Sequence, residues 1–130
     1  MKHFSVAGVL LLITVLTWAC APSQLSADPD SVVQAFYDAL NERDLDRAMG
    51  LVAEDAKFIT FTVSSGQAEI RESLQKSIDR NTRYEVDNFQ VDGDTVTWIL
   101  RATADFVVCE RTMQAVVQNV KIEFLEGDCT

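Results

Sequence analysis

The sequence predicts an α+β fold, a curved antiparallel β-sheet with three helices packed on its concave face. Three observations carry this. From residue 28 onward the elements read helix, helix, strand, helix and then four strands in a meander. The helical stretches carry apolar stripes at helical spacing, and the chain beyond Thr82 alternates apolar and polar residues as half-buried strands do. Of the 130 residues, 48% are hydrophobic and 24% charged, the balance of a single globular domain. Helices and sheets with one apolar side each must bury those sides against one another, and a bent sheet around helices does so.

The domain is preceded by a leader. Met1-Lys2-His3 is a short positive head, and Phe4 to Trp18 is a 15-residue apolar run. This is the length of a signal-peptide core and is short of the roughly 20 residues that span a bilayer. Leu16-Thr17-Trp18-Ala19-Cys20 resembles a bacterial lipobox, in which a small residue precedes the cysteine that becomes diacylated. The alternative is ordinary cleavage after Ala19-Cys20-Ala21 and secretion, which would leave Pro22 beside the cut. The sequence thus reads as signal peptide 1–20, tether 21–27 and domain 28–130, with Cys20 the lipidation candidate and the cell membrane the partner of the anchor.

Within the domain, Asp28-Pro29-Asp30-Ser31 starts the first helix with a capping residue, a proline in the first turn and acids at the positive end of the dipole. Val32, Val33, Phe36, Ala39 and Leu40 are its buried stripe. Asn41-Glu42-Arg43 breaks the pattern, and Asp44 caps a second helix with Leu45, Ala48, Met49 and Val52 inward. Ala56 to Val63, β-branched and aromatic, is a strand. Ser64-Ser65-Gly66 turns the chain into a third helix over Gln67 to Asp79, with Ile70, Leu74 and Ile78 inward. Tyr84 and Val86, then Phe89 and Val91, mark a strand with a bulge near Asp87-Asn88. Asp92-Gly93-Asp94 is a hairpin turn. A long strand follows, with Val96, Trp98, Leu100, Ala102, Ala104 and Phe106 on one side. Glu110-Arg111 is expected to turn the chain, Met113 to Gln118 to pair back, and Lys121 to Glu126 to close the sheet. On the convex side, Ile99, Val107, Val116 and Leu125 suggest a homodimer through that surface. Arg101 and Asp105 stand about 13 Å apart along one strand, too far for a direct pair, and should serve cross-strand contacts.

Charge and composition exclude several chemistries. Eleven basic against twenty acidic residues leave −9, and without Lys2 the balance is 10 − 20 = −10, which disfavours nucleic acid. The only histidine is His3, so the domain has no imidazole base, no Ser-His-Asp triad and no histidine metal ligand. Asp92 and Asp94 lack the further ligands of a calcium loop; no metal and no cofactor is implied. Cys109 and Cys129 are a possible disulfide of an oxidising compartment. Placed with one strand between them, they would be about 9–10 Å apart, so the tail would have to fold back to reach bonding distance.

The words Ala35-Phe36-Tyr37-Asp38-Ala39-Leu40-Asn41-Glu42-Arg43-Asp44-Leu45, Leu51-Val52-Ala53-Glu54-Asp55-Ala56, Gly66-Gln67-Ala68-Glu69-Ile70-Arg71 and the late Asn119-Val120-Lys121-Ile122 resemble the nuclear transport factor 2-like superfamily. Its members include SnoaL-like polyketide cyclases and ketosteroid isomerases. The resemblance spans residues 28–127 and implies a cone-shaped sheet. The usual glycine before the last strand is Val120 here. Carried over from ketosteroid isomerase, the helix-one tyrosine falls on Phe36 or Tyr37. The carboxylate base falls on Thr60, which cannot take up a proton near neutral pH, and the buried acid falls near Thr112 or Met113. No catalytic residue is therefore assigned. Tyr37, Thr60, Tyr84 and Trp98 are the candidate pocket-lining residues. The expected function is a tethered, extracytoplasmic, non-catalytic binding or accessory module for a small hydrophobic ligand. The alternatives are a cyclase, isomerase or dehydratase using Tyr37 or Tyr84 with a carboxylate not yet placed, and a structural subunit with a filled interior.

Overall fold

The structure, a computed structural model, describes residues 28–127. The leader, Cys20, the tether and Cys129 lie outside the described residues. Helix α1 spans Pro29–Asn41, and the Asp28 carbonyl accepts hydrogen bonds from the Ser31 and Val32 N–H groups at its start. Its buried stripe is wider than the spacing suggested, because Tyr37 joins Val32, Val33, Phe36, Ala39 and Leu40. Helix α2, Leu45–Met49, is capped by the Asp44 carboxylate, which accepts from the Arg47 N–H at 3.1 Å. Strand β1 covers Val52–Ile59, β2 Val63–Ser65, helix α3 Gly66–Asp79, and β3 to β6 cover Arg83–Asp92, Thr95–Ala104, Val107–Gln118 and Lys121–Glu126.

The six strands form one sheet in the order β2-β1-β6-β5-β4-β3. Strands β3 to β6 are the expected antiparallel meander, and β1 joins its last strand in parallel, Phe58 beside Leu125 and Ile59 beside Glu126. The bulge sits where the phase slip placed it, between Asp87 and Gln90, with Asn88 in the left-handed region. The Asp92-Gly93-Asp94 turn also forms, Gly93 supplying a φ of +60°.

Several boundaries differ from the sequence reading, each for a physical reason. Val52 opens β1 instead of ending α2, since Gly50 closes that helix after one turn. The strand expected over 56–63 breaks at Thr60, and residues 60–62 turn so that β2 can pair back, Val63 with Ile59 and Ser65 with Lys57. Ser64 and Ser65 are therefore strand, and α3 starts at Gly66, where the Glu69 carboxylate reaches back to the Ser65 N–H. The largest correction concerns Glu110-Arg111. They lie inside β5, and the chain turns instead at Asp105-Phe106, where the short polar Asp105 takes a φ of +53°. Phe106 is thus at an exposed hairpin tip. With the register so set, Leu125 and Val107 face the helix side, Leu125 buried and Val107 exposed. Ile99 and Val116 remain on the convex side, opposite Thr112 and Phe124. Val91 is exposed near the end of β3.

The core lies between the concave face and the helices. Val52, Ala56 and Phe58 of β1 meet Ile70 and Leu74 of α3, while Phe36 packs edge-on against Phe58 with ring centres 6.0 Å apart. Helix α1 is pinned to β3 through Asn41. Its side-chain amide donates to the Tyr84 carbonyl at 2.8 Å and accepts from the Tyr84 N–H at 2.9 Å. Arg43, at a φ of +62°, donates to the Thr82 carbonyl and to Asn81 Oδ1. These two residues fix the height of α1 over the sheet, and so decide which side chains meet beneath it.

Candidate functional site

Strand pairing brings the inner-face residues of β3, β4 and β5 into rows. Tyr84, Ala102 and Cys109 form one, Val86, Leu100 and Arg111 the next, and Trp98 with Met113 a third. Tyr37 descends from α1 onto them. Its ring centre is 5.3 Å from that of Tyr84 and 5.9 Å from that of Trp98, while Phe89 stands 6.2 Å from Trp98 on the other side. Three of the four candidate residues, Tyr37, Tyr84 and Trp98, are thus one cluster of rings in mutual contact. Thr60 does not join them: it lies in the β1–β2 turn, its N–H bonded to the Thr62 carbonyl at 3.0 Å.

That turn brings an unexpected pair into the site. Arg111 is 9% exposed, on the floor of the inner face, and Phe61 from the turn covers its guanidinium at 5.0 Å while itself 75% exposed. Arg111 donates to the Gly127 carbonyl at 3.4 Å, and its Nε–H meets no acceptor. The ion pairs of the described residues involve Arg47, Arg71, Lys76 and Arg101, so among the described residues no carboxylate lies within ion-pair distance of Arg111. Among the described residues the other buried side-chain atom outside hydrogen-bond geometry is also a donor, the indole Nε1 of Trp98.

Both tyrosines are held in the neutral form. Burial raises the Tyr37 hydroxyl far above its ordinary range and nearby Tyr84 adds to this. Arg111 opposes it, as does the Trp98 N–H, which lies close enough to favour a negative oxygen without reaching hydrogen-bond geometry. Burial also raises Tyr84, against hydrogen bonding from Ser77 and the charges of Arg111 and Arg43. Among the described residues the buried polar ones are Ser64, Thr82 and Arg111, with no carboxylate among them. Of the positions compared with ketosteroid isomerase, Tyr37 is in the cluster, Met113 is buried beneath it, and Thr112 is exposed on the convex side.

Arg111 escaped the sequence reading, although a signal was present. Arg111, Met113, Ala115 and Val117 alternate, so one uninterrupted strand puts the arginine on the apolar face. Phe61 escaped because a β-rich run hides a turn.

The cysteines sit differently from the expectation. No strand separates β5 from β6, and Gly127 carries the chain out along β5, so close that a Cβ there would stand 2.1 Å from Met113 Sδ. Cys109 is disulfide-bonded, and its partner lies outside the described residues. On the convex side, Arg101 and Glu110 pair across strands at 2.9 Å. An open depression of about 330 Å³ lies there among Thr97, Thr112, Gln114 and Glu126, bounded by Ile59, Met113 and Gly127.

The curved six-stranded sheet with helices on one face is the nuclear transport factor 2-like fold. More closely, this chain belongs to the SnoaL-like domain family, which it matches over residues 33–123. Among solved structures it is similar to a nuclear transport factor 2-like protein of unknown function from Cytophaga hutchinsonii, at 16% identity and a TM-score of 0.74, over 84% of this chain and 94% of that one. It is also similar to a candidate ketosteroid isomerase from Kribbella flavida, at 15% identity and a TM-score of 0.71, over 78% and 77%. A candidate polyketide cyclase from Sinorhizobium meliloti aligns at 21% identity and a TM-score of 0.69, over 80% and 98%. At such identities the likeness establishes the fold alone. A comparison with curated proteins finds no match.

Proposed function

We propose that this protein is a non-catalytic SnoaL-like binding module for a small hydrophobic molecule, held outside the cytoplasm by a lipid on Cys20. One observation carries the reading. The inner face assembles Tyr37, Tyr84, Trp98 and Arg111, and among the described residues two buried donors there meet no acceptor and no buried carboxylate joins them. Donors and rings orient a ligand. Proton abstraction next to a carbonyl needs a base, and neutral, buried tyrosines beside a permanently charged arginine do not supply one.

The disulfide of Cys109 supports an oxidising compartment. With Cys20 given to the lipid, Cys129 is the remaining thiol, and the run of Gly127 along β5 favours its pairing with Cys109. The convex face, with Ile99, Val116 and Phe124 half-buried, is the surface we assign to a homodimer.

Thermal-shift measurements with a series of small hydrophobic compounds test the binding role. Ligands that raise Tm with no turnover support it, and cyclisation or isomerisation of any of them overturns it. Mass spectrometry of the mature N-terminus decides the anchor: an acylated Cys20 is expected, and a chain beginning at Pro22 would mean secretion.

A further inference from the structure

We infer that the ligand of this site is an anion, a small planar molecule carrying a carboxylate, with Arg111 as its anchor and Phe61 as a ring that the ligand displaces. This rests on the reading of the protein as a binding module and adds the charge of what is bound. A buried guanidinium is ordinarily answered by a carboxylate, because removing its water leaves strong donors unmatched. Here Arg111 is 9% exposed and has a long contact to the Gly127 carbonyl, an aromatic face, and an Nε–H with no acceptor. The second orphaned donor, Trp98 Nε1, belongs to the same ring cluster through Tyr37, whose hydroxyl is close enough to Arg111 to feel its charge. A buried arginine capped by an exposed ring, beside a neutral hydroxyl and a second donor, is complementary to an acceptor oxygen once the ring moves aside, and the positive charge selects a negative one.

Phe61 supplies the other half of the argument. An aromatic ring stacked on a guanidinium is a satisfactory cover for it, but one that is 75% exposed is held by little else. It projects from a three-residue turn, 60–62, that joins β1 to β2 at the end of a pairing only three residue pairs long. A planar apolar body taking the place of the ring covers the same cluster, and its carboxylate accepts the paired hydrogen bonds that the arginine fork donates and that a phenyl ring cannot accept. A neutral ligand of the same shape replaces the ring without that gain.

Isothermal titration of the full chain with 2-naphthoate and with its uncharged counterpart 2-naphthamide tests this. The carboxylate is expected to bind at least about tenfold more tightly, the scale of one charge-assisted hydrogen bond. Arg111→Met should erase the difference, Arg111→Lys should keep part of it, and Phe61→Ala should tighten naphthoate several-fold by removing the competing ring. Urea unfolding of each variant confirms that it folds. Equal binding of the two compounds, or a preference that survives in Arg111→Met, overturns the anionic ligand while leaving the binding module standing. If neither compound binds the natural chain or Phe61→Ala, the anionic ligand falls, and the thermal-shift series judges the binding module separately.

Discussion

The concave face has two halves that share one sheet and differ in how they are finished. Over β1, α3 buries Ile70 against Val52 and Ala56, all within 1% of full burial, and the nearest polar contact is complete: Gln67 donates to the Val52 carbonyl at 2.9 Å. Over β3 and β4, α1 lays Tyr37 across Tyr84 and Trp98, and two buried donors remain without acceptors. The first half is closed in the way a core must be. The second carries a cost that packing alone does not require.

Substitutions should divide along the same line. The largest effect is expected at Ile70→Ala, which leaves a cavity in a fully packed site and should lower the unfolding free energy by about 2–5 kcal/mol. Arg111→Met, a change of similar size in the other half, should cost nothing or stabilise by about 1–4 kcal/mol, because an unpaired buried charge is replaced by an apolar chain. Urea unfolding of both variants measures the contrast, and a loss at Arg111→Met as large as that at Ile70→Ala would erase it.

A smaller effect sharpens the account of backbone strain. Asn119 and Val120 both have positive φ, 52° and 60°, as a two-residue hairpin between β5 and β6 demands. Asparagine tolerates this and a β-branched valine does not. Relief of about 1–3 kcal/mol of strain, less the roughly 0.5–1 kcal/mol of entropy that glycine loses on folding, should leave Val120→Gly more stable by about 1 kcal/mol in the same assay.

The ring half should also show itself at high pH. The Tyr37 hydroxyl has a raised pKa in the folded protein, so above pH about 10 the unfolded chain releases a proton that the folded one keeps. The unfolded state then binds fewer protons, and stability falls as pH rises, by up to about 1.4 kcal/mol per pH unit for one such group. Tyr37→Phe should lessen the slope between pH 10 and 11, with Tyr84 accounting for part of what remains. An unchanged slope would mean that Tyr37 is not shielded from water.

Much of the fold was legible because it follows from short-range rules. Pro29 and Asp44 start helices, the spacing of Ile70, Leu74 and Ile78 turns one side of α3 inward, and Gly93 marks a hairpin. The site was legible only in part. Tyr37, Tyr84 and Trp98 could be proposed one by one, since each stands beside an apolar stripe, but their meeting depends on the height of α1 over β3. That height is set by Asn41 and Arg43, which in sequence are only the residues that end a helix. Thr60 was proposed for a position on a strand, and the strand stops at Ile59 to make room for β2.

What the chain determined by itself is the set of elements and their buried faces, since helical and strand periodicity, capping and turn chemistry act over a few residues. The tertiary structure decided which of those faces carry a charge. The pairing of Arg111 with Leu100 places a guanidinium on an apolar floor, and the turn at 60–62 brings Phe61 over it from about fifty residues away. Neither contact has a local signal, because strand register and the approach of distant turns are settled by how the whole sheet closes on its helices.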